Sequence, residues 1–517
     1  MNRSAGILMP IFSLPSPYGI GTMGQAARDF LDFLEAGGQS YWQLLPVGPT
    51  SYGDSPYQSF SSFAGNPYFI DLDDLAADGL LEPPEYQGLD WGQSGKVDYG
   101  LLYATRYPVL RKAVKRLLDN PPADYAAFLA ENAGWLDPYA LFMAIKGENG
   151  GASWQEWPVG LRLRREKELD AAKARLSEET DFWRGAQYLF FRQFDALKAL
   201  AKEKGISIIG DLPIYVALDS ADVWADPNQF QLDENLAPVE VAGCPPDAFT
   251  ADGQLWGNPL FDWEGMKADG YRWWLRRISF QFRLFDVLRI DHFRGFDAYY
   301  AIPYGDKTAR NGRWKPGPGL DFFKTVNKTL GKREIIAEDL GFLTDTVRKL
   351  LKSTGYPGMK VLEFAFDPKN RDSEYLPHRY NRNCVVYAGT HDNETIEGWL
   401  SNTTPAIRGY AKRYFQLTRR EGWAWGVMRG AWGSVADLAV MQMQDLLSIG
   451  VEGRINTPST LGGNWQWRML PGQADGALAH RLLQSTLLYN RGPAVKVKKV
   501  SKRAEKRGQA AKSSTKN

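Results

Sequence analysis

Eight short apolar stretches, near residues 7, 41, 206, 286, 334, 359, 384 and 452, alternate with segments of helical periodicity. Strand–helix–strand alternation is the grammar of a parallel α/β sheet, and eight strands are what a closed barrel needs. The pattern starts at once. Residues 7–12 read as a strand. Residues 25–35 read as a helix, with Ala26, Phe30, Phe33 and Leu34 at helical spacing and a stop at Gly37-Gly38. Residues 41–47 read as a second strand. From 71 to 205 the chain turns mostly helical, with periodic runs at 101–118, 136–146 and 181–204. Phe182, Leu189, Phe190, Phe194, Leu197 and Leu200 form a core stripe there. The alternation resumes at 206–214 and passes through a helix at 271–285. A helix at 436–447 is expected to precede the last strand near Arg454-Ile455-Asn456.

The expected class is therefore α/β, a (β/α)8 TIM barrel with helical and irregular subdomain insertions and no separate C-terminal β-sandwich. Residues 1–70 start the barrel with two βα units and an aromatic loop, and 71–205 form a helical insertion. Residues 206–490 complete the catalytic barrel, with a lid insertion near 217–270. That insertion is rich in Pro, Gly and Trp, and long unpatterned loops in compact proteins are usually functional. Residues 491–517 read as a basic, disordered tail.

Composition excludes several classes. Hydrophobic content of 44% with 24% charged residues suits a soluble globular chain of 517 residues. Between 495 and 517 there are nine basic residues and one acid. Removing them from the chain's 62 and 60 leaves 53 and 59, a net charge of −6. The body is mildly acidic and not built to grip nucleic acid; only the tail offers such a contact. Two cysteines, Cys244 and Cys384, give no disulfide framework or metal spacing. The first ten residues lack a signal-peptide pattern, and no apolar run reaches a membrane span. The cytoplasm is the expected location, with no membrane partner. Aromatics at 13%, including 18 Trp, exceed what a core requires and suggest surfaces that stack on sugar rings.

Three strand candidates end in acids: Arg289-Ile290-Asp291-His292-Phe293-Arg294-Gly295, Ile335-Ile336-Ala337-Glu338-Asp339-Leu340-Gly341 and Tyr387-Ala388-Gly389-Thr390-His391-Asp392-Asn393. In a parallel barrel, the C-terminal strand ends converge on the active face. Arg289 and Asp291 are two apart, so both side chains share one face of an extended strand. A cation there favours an ionised carboxylate. Glu338 has no cation beside it and an acid, Asp339, next to it, so a raised pKa is expected. One ionised and one protonated carboxyl are what retaining glycoside chemistry uses. Asp392 and His391 would hydrogen-bond sugar hydroxyls. The loop Ser51-Tyr52-Gly53-Asp54-Ser55-Pro56-Tyr57-Gln58-Ser59 reads equally as packed surface or as a sugar-stacking loop through Tyr52 or Tyr57.

These motifs resemble the signature regions of the amylomaltases, the 4-α-glucanotransferases or disproportionating enzymes of the α-amylase superclan. The likeness extends to Gly210-Asp211-Leu212-Pro213-Ile214, Trp256-Gly257-Asn258-Pro259 and Gly463-Asn464-Trp465-Gln466-Trp467, and runs from about 6 to 470. It implies Asp291 as nucleophile, Glu338 as general acid/base and Asp392 as transition-state stabiliser. It also implies a covalent glucosyl-enzyme intermediate resolved by a glucan 4-hydroxyl, and a lid around 243–258. Substrate contacts are expected from Arg289, His391, Asp211, Tyr57, Trp256 and Asn464, with Trp465 a further stacking candidate. Partners would be maltooligosaccharides, glucose and α-glucans. An α-1,4-glucan hydrolase using the same carboxylates is the alternative. The superclan's Asn-His pair after the first Asp is replaced here by Leu212-Pro213-Ile214, so no structural calcium, other metal or cofactor is expected.

Overall fold

The computed structural model describes residues 2–51, 53–246, 251–341, 343–460 and 462–492. Among them run twelve strands: β1 (Ser4–Leu8), β2 (Tyr41–Gln43), β3 (Ser207–Pro213), β4 (Glu240–Cys244), β5 (Gln254–Pro259), β6 (Val287–Asp291), β7 (Ala298–Pro303), β8 (Arg313–Pro316), β9 (Ile335–Ala337), β10 (Gly358–Val361), β11 (Cys384–Tyr387) and β12 (Leu438–Gln442). Eight of them close a barrel in the order β1-β2-β3-β6-β9-β10-β11-β12. Every neighbouring pair is parallel.

Helices cover the outside of this barrel, so its strands are buried on both faces. Their sequences are therefore continuous apolar runs, not alternating ones. β1, β11 and β12 are buried at every residue. The helix Gln25–Ala36 turns Phe30, Leu31 and Leu34 inward, and Phe30 meets Trp42 of β2 edge-on at 5.1 Å. Between β2 and β3 lie the long helices Tyr99–Asp119, Tyr125–Glu148 and Ser177–Glu203. Phe182, Leu189, Phe190, Phe194 and Leu197 of the last are buried, and Leu200 packs partly buried beside them. No described helix is long and apolar enough to cross a membrane.

The structure corrects three expectations. The closing strand is β12, where a helix was expected, and Arg454-Ile455-Asn456 belongs to no strand. Periodicity cannot separate a short strand buried on both faces from a buried helix. Leu438, Ala439, Val440 and Met441 are such a run, each with no exposed surface. The first strand lies at Ser4–Leu8, not 7–12, because Pro10 ends the pairing and Ile11–Ser13 is a helical turn. The stretch expected as an irregular lid carries β4 and β5, in an antiparallel sheet ordered β5-β4-β7-β8. That sheet has its own small core of Val241, Tyr300, Ile302 and Ala309. Buried Glu240 reaches across it from β4 to Arg313 and Lys315 on β8.

One buried cation pins the seam where the barrel closes. Ser4 N–H donates to the Asp437 carbonyl at 2.8 Å. Arg491, fully buried, donates to the carbonyls of Trp432 (2.8 Å), Ser4 (2.9 Å), Ala436 (2.9 Å) and Ser434 (3.1 Å). Arg3 shares three of these acceptors, donating to Ser434 (2.8 Å), Trp432 (2.9 Å) and Ala436 (3.5 Å), so loss of Arg491 removes hydrogen bonds worth about 0.5–1.5 kcal/mol each without stripping every carbonyl. Arg491→Met should therefore lower stability by a few kcal/mol, read as a fall of several degrees in the thermal unfolding midpoint. A midpoint equal to the parent's would refute the role.

Candidate active site

The barrel register sets the site. Asp211 pairs with Arg289 and Pro213 with Asp291 across β3 and β6, and Ile290 pairs with Ala337 across β6 and β9. Asp291 and Glu338 therefore leave neighbouring strands at the same level. The chain after β11 brings His391 and Asp392 to the same end of the barrel. A cavity of about 520 Å³ opens there, lined by Asp291, Asp392, His391, Tyr57, Trp256 and Trp465 among others.

Arg289 is the floor of the site. Its Nη1 lies 2.7 Å from both oxygens of Asp211, and its Nη2 lies 2.9 Å from Asp291 Oδ1. Its Nε faces Met359 Sδ at 3.4 Å. Burial works to lower the Arg289 pKa, but the two carboxylates outweigh it and hold the group well above its ordinary value. Burial pushes the Asp211 carboxyl up, and Arg289 pulls it back. Tyr57 Oη donates to Asp211 Oδ2 at 2.7 Å; burial, then Asp211, raises its phenol well above the usual range, so it remains a donor.

Glu338 is partly buried and has no direct cation. His292 N–H and Leu340 N–H donate to its two oxygens at 2.8 and 2.7 Å. Burial foremost, then the neighbouring Asp291, pushes its carboxyl up to about 8. The donating His292 is left-handed, with φ 54° and ψ 48°, which swings its N–H onto Glu338. Burial lowers the His292 ring pKa to about 4, so the imidazole is neutral near pH 7. Trp256 stands over that ring edge-on at 4.9 Å.

Asp392 is more open, its side chain about half exposed. Asn456 Nδ2 donates to its Oδ1 at 2.6 Å, and His391 Nε2 lies 3.4 Å from the same oxygen. His391 stacks on Tyr57 with ring centres 5.1 Å apart.

Of the residues the sequence singled out, Asp291, Asp392, His391, Tyr57, Trp256 and Trp465 border the cavity, Arg289 and Asp211 are buried, and Glu338, partly buried, follows the neighbouring strand β9. Asn464 does not border it. Its side chain accepts from Thr457 N–H at 3.0 Å and donates to the Thr460 carbonyl at 3.2 Å, bracing the loop. Tyr52 and the basic tail lie outside the described residues. Sequence reasoning missed Arg454 and Asn456, which a strand reading had absorbed, and the cradle formed by His292. Among the described residues no group of three or more His, Cys, Asp or Glu is arranged to hold a metal.

A buried guanidinium with one partner removed leaves an uncompensated charge, which costs about 3–5 kcal/mol. Arg289→Met should destabilise by that amount, and adding Asp211→Asn should return much of it. Additive losses in chemical denaturation would contradict the pairing.

The 4-alpha-glucanotransferase family model matches residues 9–473. The 4-alpha-glucanotransferase of Clostridium butyricum is 48% identical over 486 residues, covering 93% of this chain and all of that protein. That of Thermus thermophilus is 48% identical over 484 residues, covering 91% of this chain and 95% of that one. The amylomaltase of Streptococcus agalactiae, solved in complex with acarbose, superposes with a TM-score of 0.93 at 43% identity, over 95% of this chain and 100% of that chain. This chain belongs to the 4-alpha-glucanotransferase family.

Proposed function

We infer that this chain is a 4-α-glucanotransferase that moves α-1,4-glucan segments to the 4-hydroxyl of another glucan or of glucose. The observation that carries this is the pair of carboxyls on adjacent strand ends, one ion-paired with Arg289 and one held protonated, in a chain matched to the family over residues 9–473. Acarbose, an α-linked pseudo-oligosaccharide, in the Streptococcus agalactiae amylomaltase supports α-glucans as substrates.

In this reading Asp291 attacks the anomeric carbon from the face opposite the leaving oxygen. Glu338 gives its proton to that oxygen, the glycosidic bond breaks, and a glycosyl ester forms on Asp291. The released chain departs and an acceptor sugar enters. Glu338, now a carboxylate, takes the proton of its 4-hydroxyl. That oxygen displaces Asp291, and two inversions restore the α configuration. Asp392, with His391 beside it, binds hydroxyls of the reacting ring more tightly as the ring flattens. Tyr57 and Trp256 offer aromatic surface to the sugars, and Arg289 and Asp211 hold the nucleophile from below. Hydrolysis would use the same groups. The wall contributed by Gln254, Leu255 and Trp256 of β5 narrows the space for free water and favours a sugar acceptor.

Incubated with maltotriose, the protein should yield glucose and a ladder of longer maltodextrins; shortening alone would overturn transfer. Asp291→Asn should abolish turnover and keep glucan binding, and parental activity in that variant would remove Asp291 from the mechanism. The pH profile follows from Glu338. The acid must be protonated to act, so kcat/KM should fall as pH rises through about 8. A profile that stays flat through about 8 and beyond would contradict it.

A further inference from the structure

Asp392 is carried on a turn beyond the end of β11, and its carboxylate is the least buried of the three. What fixes it comes from another segment. Asn456 Nδ2 donates to Asp392 Oδ1 at 2.6 Å, and Arg454 Nη2 donates to the Asp392 backbone carbonyl at 3.0 Å. The same guanidinium uses its two other nitrogens elsewhere. Nε donates to the Asn456 carbonyl at 2.8 Å, and Nη1 pairs with Glu394 Oε1 at 3.2 Å. Asn456 N–H closes the circuit by donating to the His391 carbonyl at 3.2 Å. Glu394 is itself held by Asn402 Nδ2 at 2.9 Å.

Arg454 thus spends each nitrogen on a different acceptor: the chain at Asp392, the chain at Asn456, and the acid two residues past Asp392. A planar fork can serve three such directions at once, which a lysine ammonium on its flexible stem cannot reproduce. Asn456 also borders the cavity, together with Pro458, Ser459 and Thr460. The network therefore joins a functional carboxylate to a stretch of cavity wall. Arg454 is about three-quarters buried, and its partner Glu394 likewise.

We propose that Arg454 is a positioning residue that, through Asn456, presets the Asp392 carboxylate for the reaction and couples it to the wall at 456–460. The proposal rests on the reading of Asp392 as the group that stabilises the transition state. Misplacing such a group weakens an interaction made most strongly in the transition state, so kcat falls while KM is little changed.

The test is steady-state maltotriose disproportionation by the full chain, with melting curves for each variant. Arg454→Met and Asn456→Ala should each lower kcat about 10- to 100-fold, a loss typical of a displaced catalytic group, with KM within about threefold. Arg454→Lys should recover part of the loss. In an Asp392→Asn background, Arg454→Met should cause no further fall. Parental kcat in both single variants, while Asp392→Asn is inactive, would overturn the positioning role alone. Parental kcat in Asp392→Asn would instead overturn the role of Asp392. A rise in KM with kcat unchanged would also sink the proposal. If Arg454→Met melts far below the parent, the Asn456→Ala result decides, since that change removes one side-chain bond and leaves the arginine in place.

Discussion

The site depends on one buried ion triad, Arg289 between Asp211 and Asp291. A guanidinium at the floor of a dry barrel has lost nearly all its water, and that loss is recovered only if its donors meet charged acceptors with good geometry. Here Nη1 meets both oxygens of Asp211, Nη2 meets Asp291, and Nε meets the soft sulfur of Met359. Three barrel strands, β3, β6 and β10, supply these groups. Barrel closure and carboxylate placement are therefore one problem: a shift of register would leave a charge unpaired in the core.

The same triad explains why two carboxyls on neighbouring strands differ. Asp291 has Arg289 against it. Glu338 has burial, and the negative charge of Asp291, working to keep its proton on. Its two backbone donors pull the other way, and one exists only because His292 adopts a left-handed backbone. A non-glycine residue held there stores of order 1–3 kcal/mol of strain, and such strain persists where the surroundings over-determine it. Phe293 N–H donates to the Glu338 carbonyl at 3.1 Å, so the turn is tied to the neighbouring strand at both groups. The turn thereby fixes where the Glu338 carboxyl can lie.

How legible this was varied with how local the cause was. Seven barrel strands could be read because each is a short apolar run between turn signals. The eighth could not: Leu438 to Met441 is apolar on every side, and only the partners β1 and β11 decide that it is extended. Asp291 and Glu338 stood out because motif and strand end coincide. The Arg289–Asp291 contact followed from strand geometry, but Asp211 as second partner needed the β3–β6 register. Trp256 could be anticipated from its motif, whereas the sheet that carries it pairs β4 with β7, far along the chain. Asn464 is a motif residue whose amide is bonded within its own loop, which its motif alone did not indicate. Arg454 and Asn456 were hidden because their meaning lies in a contact across more than 60 residues.

The carboxyl chemistry does not by itself choose between water and sugar as the second partner. Either can give a proton to Glu338 and attack the ester. The choice lies with groups that hold an acceptor oxygen in line long enough to react, and holding is an entropic advantage that a small mobile water gains little from. In this chain such groups lie on two walls that are not part of the barrel. One is β5, stiffened by the separate core of its sheet and by Glu240 bridging to β8. The other is the loop after β12, braced internally by Asn464 and tied to Asp392 through Arg454 and Asn456. The barrel supplies the carboxyl groups, and the segments around it line the space an acceptor sugar would enter.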